Sequence, residues 1–110
     1  MSFQSREEGA FQVVTVEAVR LDASLAEAFK NYLFEVIDKG ATAIIVDLEN
    51  VKFMDSSGLG SLVAALKKLS GQGAIKLAGA QPAVKDLFEL TSMETLFPIF
   101  ASVTDALEGD

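Results

Sequence analysis

The residues that could do chemistry gather in one short stretch, Asp55-Ser56-Ser57-Gly58-Leu59-Gly60. A serine hydroxyl attacks only when a neighbouring base takes its proton, and that base is normally histidine. The chain contains no histidine, and no nearby lysine sits in an apolar setting that would make it a base. The order Ser-Ser-Gly-Leu-Gly is also not the Gly-x-Ser-x-Gly of a nucleophile elbow. A hydrolase centre is therefore not expected. A glycine-rich turn that opens a helix can cradle phosphate. Here, however, Gly-Lys-Ser/Thr is absent, the glycines are not spaced Gly-x-Gly-x-x-Gly, and Asp55 would repel a bound phosphate.

A third chemistry is that of a hydroxyl which itself receives a phosphoryl group. The start of a helix presents unpaired N–H groups and a partial positive charge, so a phosphoserine there gains about 0.3–1 kcal/mol. Such a modification leaves the fold standing and changes the surface, adding about −1.5 to −2 charge units beside Asp55, enough to repel a docked partner. Residue types alone leave Ser56 and Ser57 both open as the acceptor. The plainer account of the same residues is capping, with Asp55, Ser56 or Ser57 as the cap, Gly58 relieving crowding and Gly60 packing helix on strand. Against it stands a cost of up to about 1 kcal/mol for each glycine in a helix, relative to alanine. That cost calls for something that must approach the backbone closely.

The surrounding pattern supplies the elements that hold this stretch. Phe3 to Ser5 and Phe11 to Val16, separated by Arg6-Glu7-Glu8-Gly9-Ala10, predict a β-hairpin. Leu25, Ala28, Phe29, Tyr32, Leu33, Val36 and Ile37 form a one-face helical stripe, opened by Ser24 as N-cap and closed by Lys39-Gly40. Ala43 to Leu48, led by the apolar run Ala43-Ile44-Ile45-Val46, is expected as a central parallel strand buried on both faces. Leu59, Leu62, Val63, Leu66 and Leu69 return to helical spacing, with Lys67-Lys68 near the negative end and Gly71 and Gly73 as breakers. Ala74 to Ala78 predicts a strand, Gln81-Pro82 a third helix carrying Val84, Leu87 and Phe88, and Phe97 to Phe100 a last strand. Ser102-Val103-Thr104-Asp105 resembles a capping box for a closing turn. Strand and helix alternate after the hairpin, so the expected architecture is α/β: a mixed β-sheet with parallel inner strands and helices packed against it. In such sheets working loops lie at the carboxyl ends of the strands, which is where the serines fall. Phe29, Tyr32, Phe34, Phe88, Phe97 and Met93 are expected in the core, while Phe53 and Met54 flank the serines and could face either way.

Composition narrows the function. The 110 residues, 50% of them hydrophobic, suffice for one domain, residues 1–110, with its own core. A formal net charge of −7 and scattered basic residues argue against nucleic acid and anionic lipid as partners. With neither cysteine nor histidine, disulfides and the usual transition-metal sites are unavailable. The apolar runs are far shorter than the ~20 residues that span a bilayer, and the first residues carry no signal-peptide stretch, so the expected compartment is the cytoplasm.

Val46-Asp47-Leu48-Glu49-Asn50-Val51-Lys52-Phe53-Met54-Asp55-Ser56-Ser57-Gly58-Leu59-Gly60 resembles the signature of STAS domains of the anti-sigma factor antagonist type. Weaker similarity runs from Leu21-Asp22 through Gln81-Pro82-Ala83-Val84-Lys85-Asp86-Leu87-Phe88 to Thr91 and Leu96. The resemblance implies a small cytoplasmic bacterial protein that binds a serine kinase, itself an anti-sigma factor with a histidine-kinase-like ATPase fold, and so frees a sigma factor. It further implies that phosphorylation falls on the second serine, Ser57, and that a PP2C-type phosphatase reverses it. Asp55 would help form the surface the kinase reads, Ser56 and Gly58 would shape the approach, and Asp22 and Leu59 would belong to the same partner surface. No cofactor, metal or catalytic residue is implied, and a homodimer is left open. One departure stands out: similar proteins carry a glycine shortly before the Leu-Asp pair, on the partner-facing side, whereas this chain has Glu17-Ala18-Val19-Arg20-Leu21-Asp22. Two other readings compete, a scaffold or adaptor subunit of a larger signalling or transporter assembly, and a small nucleotide-dependent enzyme.

Overall fold

The computed structural model describes residues 2–109. Strands β1 (Phe3–Glu8) and β2 (Phe11–Val16) pair antiparallel, with Glu8 opposite Phe11, which leaves Gly9 and Ala10 as the turn. Gly9 takes φ +62° there, a conformation that favours glycine. The first strand thus runs through Arg6-Glu7-Glu8, which the sequence suggests as loop. Charge hides it: β1 is an edge strand, and an edge tolerates charged side chains that discourage pairing with other chains.

Beyond the hairpin the sheet continues with β4 (Ala43–Asp47), β6 (Ala74–Ala78) and β7 (Ile99–Phe100), in the order β1-β2-β4-β6-β7. Every pair after the first is parallel. The sheet is therefore mixed with parallel inner strands, as the alternation of elements predicts, and β4 sits at its centre with Ile44, Ile45 and Val46 wholly buried. The last strand is shorter than its apolar run. Only Ile99–Phe100 of the last run pairs, and Phe97 instead fills the core after a 3-10 turn at Met93–Thr95.

Three helices cover one face of the sheet, α1 (Ala23–Asp38), α2 (Ser56–Leu69) and α3 (Pro82–Leu90). Val14, Val16, Ile44, Val46, Ile75 and Leu77 meet Phe29, Leu33, Leu62, Ala65, Val84 and Phe88 there. On α1 the stripe is shifted from its expected membership: Ala28 is exposed and Ala26 is buried in its place. The opposite face carries α4 (Val103–Glu108), whose Ala106 packs on Val13, Ile45 and Ala78. Ser102 caps α4 by accepting a hydrogen bond from the Asp105 N–H at 3.1 Å. Lys76 projects onto this second face and donates from Nζ to the Ala106 and Gly109 carbonyls at 2.8 and 2.9 Å. Its ammonium lies 4.9 and 5.0 Å from the ring centres of Phe11 and Phe100, so it holds the negative end of α4 between two aromatic faces.

Candidate functional site

Two very short strands, β3 (Arg20–Leu21) and β5 (Phe53–Met54), form a separate parallel ribbon with Arg20 opposite Phe53 and Leu21 opposite Met54. Each strand is followed at once by an aspartate that caps the next helix. Asp22 accepts from the Ser24 N–H at 3.1 Å and from the Ser24 hydroxyl at 2.6 Å. Asp22, not the expected Ser24, is thus the N-cap of α1, because its extended backbone (φ −121°, ψ −166°) already lets its carboxylate reach the first free N–H groups. Asp55 does the same for α2, accepting from Ser57 N–H at 2.9 Å and from Gly58 N–H at 3.2 Å. Of the three candidate caps on α2, the aspartate takes the position and leaves both serines inside the first turn.

The two glycines of the motif have different reasons. Gly58 is buried against the ribbon, where an added Cβ would lie 2.5 Å from the Leu21 carbonyl oxygen and 2.9 Å from Met54 Cγ. Gly60 does not pack helix on strand as expected; a Cβ there would meet nothing within 4 Å. It faces outward into an open groove of about 320 Å³ between α1 and α2, lined by Ala23, Ala26, Glu27, Lys30, Ser57 and Ser61 along with Gly60 itself. The Ser61 hydroxyl closes the inner wall, reaching the Ala26 carbonyl across the helix pair at 2.7 Å and the Ser57 carbonyl one turn back at 3.2 Å.

Ser57 is half-buried at the head of this groove and Ser56 is exposed beside it. Among the described residues, neither serine hydroxyl donates to another residue; Ser57 is held through its backbone alone. Leu59 points inward and is part of the core. Asp22, Asp55, Ser56, Ser57 and Gly58 are brought to one end of the molecule by the shared ribbon, with Leu59 beneath them. Arg20 completes this end: its guanidinium lies 4.4 Å from the centre of the Phe53 ring, and its Nε is 3.2 Å from Asp22 Oδ2. The Ser24 hydroxyl, then the Ser24 N–H and then Arg20 hold the Asp22 carboxyl below the usual aspartate range. Phe53 is 40% and Val19 54% exposed, an apolar flank to the polar mouth, whereas Met54 turns into the core. The segment lacking the expected glycine needs none, since no residue from Glu17 to Asp22 adopts positive φ. The Val19 carbonyl accepts from the Lys52 N–H at 2.8 Å and ties that segment to the approach to β5.

Sequence reasoning did not single out Arg20, Lys30 or Ser61. Ser61 carried a signal, standing four residues beyond Ser57 on the same helical face. Lys30 and Arg20 carried none, because each reaches the site from another element.

Residues 4–106 match the family model for the STAS domain. The chain is 32% identical over 80 residues to the anti-sigma-B factor antagonist of Staphylococcus aureus, covering 72% of this chain and 74% of that one. Among solved structures, an anti-sigma factor antagonist from Mycobacterium paratuberculosis superimposes with a TM-score of 0.87 at 26% identity, over 96% of this chain and 90% of that one. The anti-sigma factor antagonist SpoIIAA in its unphosphorylated form gives 0.81 at 26% identity, over 96% and 93%. The phosphorylated form of Bacillus SpoIIAA gives 0.73 at 25% identity, over 96% of each chain. A mixed sheet with an opening hairpin, an Asp-capped helix carrying Ser-Ser-Gly and the match over residues 4–106 agree: the chain belongs to the STAS domain family, and to the anti-sigma factor antagonists within it.

Proposed function

We propose that the protein, when unmodified, binds an anti-sigma factor that is also a serine kinase and thereby releases a sigma factor, and that phosphorylation of Ser57 ends this binding. It is a cytoplasmic regulator and not an enzyme. The kinase carries a histidine-kinase-like ATPase fold, and its docking surface is the mouth formed by Asp22, Asp55, Ser56, Ser57 and Gly58, floored by Leu59. In the transfer the γ-phosphoryl group of ATP moves to Ser57 Oγ, the hydroxyl proton passes to a base on the kinase, and ADP leaves. A PP2C-type phosphatase reverses the modification by hydrolysis, releasing inorganic phosphate.

The observation that carries this reading is the way Ser57 is held. Asp55 fixes its N–H at 2.9 Å, while its hydroxyl stands without an intramolecular acceptor at the head of an open groove. A new dianion there meets the positive end of α2 on one side and the carboxylates of Asp55 and Asp22 on the other, so the fold tolerates it and a closely docked partner does not. The similarity to SpoIIAA in both its unphosphorylated and its phosphorylated form supports the same reading, since one scaffold accommodates the two states of that protein.

Calorimetric titration with a serine-kinase anti-sigma factor from the same genome tests the proposal. Ser57→Asp and Ser57→Glu are expected to weaken binding at least tenfold, whereas Ser57→Ala keeps binding and loses phosphate incorporation. Phosphorylation of Ser57→Ala to the same extent as the parent would overturn the choice of residue.

A further inference from the structure

We propose that Lys30 is the built-in counter-ion of the modified state, so that a phosphoryl group on Ser57 turns into the groove between α1 and α2 and takes the Lys30 ammonium away from Glu27. This rests on the reading of Ser57 as a phosphoacceptor and adds to it where the group goes.

Lys30 and Ser57 line the same groove, and between them lie Ala23, Ala26 and Gly60, none with a side chain longer than a methyl group. The geometry of the helix pair sets the reach. Ser61 Oγ is 2.7 Å from the Ala26 carbonyl, so the first turns of α1 and α2 run side by side. Ser57 stands one turn before Ser61 and Lys30 one turn after Ala26. Side chains on a helix lean back toward its N-terminus, which carries the Lys30 ammonium toward the Ser57 end rather than away from it.

The present partners of Lys30 are weak ones, Glu27 and the Phe34 ring, whose centre lies 5.8 Å from its Nζ. Its Nζ is 3.4 Å from Glu27 Oε2, and the Glu27 side chain is 77% exposed. A phosphate dianion offers more charge and three acceptor oxygens, so the exchange favours the modified serine. Of the other charged groups at this end, Asp55 engages the N–H groups of Ser57 and Gly58 and Arg20 engages Asp22 and the Phe53 ring, while Lys52 is exposed and lies outside the groove lining. Among the residues lining the groove, Lys30 is the cation and Glu27 the competing anion. The arrangement also gives Gly60 a reason. A methyl group there would project into the space the phosphoryl group enters, while the bare backbone leaves it clear. Modification then does more than add charge at the mouth, because it also fills the slot beside it.

The test needs no kinase. Phosphoserine is installed at position 57 of the full chain during translation, and its second ionisation is followed by phosphorus NMR between pH 4.5 and 8. In the parent it is expected below the ordinary value of about 6. Lys30→Met is expected to raise it by about half a unit, Lys30→Arg to restore it, and Glu27→Gln to lower it further. The same titration curve in the parent and Lys30→Met, or an upward shift with Glu27→Gln, overturns the proposal. Undiminished binding of the Ser57-phosphorylated chain to the anti-sigma factor would instead overturn the proposed function and leave the titration result standing.

Discussion

Alanine placed at Gly58 and at Gly60 should move stability in opposite directions, although the two positions share one helix and lie two residues apart. Both substitutions gain about 1 kcal/mol of helix propensity, because alanine has less backbone freedom to lose than glycine. At Gly60 nothing opposes that gain, since no atom lies within 4 Å of the added Cβ. At Gly58 the methyl group would sit 2.5 Å from the Leu21 carbonyl oxygen, 2.9 Å from Met54 Cγ and 3.0 Å from Leu21 Cγ. The nearest of these atoms is backbone of the β3–β5 ribbon and cannot rotate aside. Overpacking of this kind costs about 2–3 kcal/mol, which leaves a net loss of about 1–2 kcal/mol. A chain of 110 residues unfolds with an entropy near 0.2 kcal/mol per degree. Gly60→Ala should therefore raise Tm by about 3–5 °C and Gly58→Ala lower it by about 5–9 °C. Calorimetric melting of the two variants beside the parent decides the matter. If Gly58→Ala melts as high as Gly60→Ala, the head of α2 does not press on Leu21 and the account of the ribbon fails.

Three further outcomes follow from the same contacts. Asp55→Ala should cost about 1–2 kcal/mol in urea unfolding by freeing the N–H groups of Ser57 and Gly58, and Asp55→Asn should recover most of it, since an amide oxygen also caps. Asp22 has a folded pKa below its unfolded value, so its contribution to stability is complete above about pH 4 and disappears as pH falls through the lower folded value. The urea midpoints of Asp22→Asn and the parent should therefore converge as pH falls below about 4. Lys76→Met removes both donors to the Ala106 and Gly109 carbonyls and should cost about 1–2 kcal/mol, with hydrogen exchange accelerated over residues 105–109 and unchanged in α1.

The parts of the fold that the sequence displays are those whose side chains repeat with one period over several turns or residues. The stripe from Leu25 to Ile37, the run Ala43 to Leu48 and the helix after the serines all lie where the spacing predicts. The ribbon of β3 and β5 does not show in this way, because two residues are too few for an alternating pattern and its pairing partners stand 33 positions apart, as with Arg20 and Phe53. Caps are ambiguous for a related reason. Asp22 and Ser24 are equally good capping types, and only the backbone angles choose between them. Glycine carries the least information. Gly58 and Gly60 look alike in sequence, yet the first is compelled by a neighbouring carbonyl while the second faces open space that would admit a side chain. Lys76 was one basic residue among nine, and its place between two phenylalanine rings depends on strands far apart in the chain.

The ribbon joining Leu21 to Met54 has a temporal consequence. It closes a long loop, so it pairs late, after the local helices have formed. Until it does, α1 and α2 are joined only by their own packing and the Ser61–Ala26 hydrogen bond, and the serine mouth is incomplete as a surface. A nascent, truncated or partly melted copy is consequently invisible to anything that recognises that mouth.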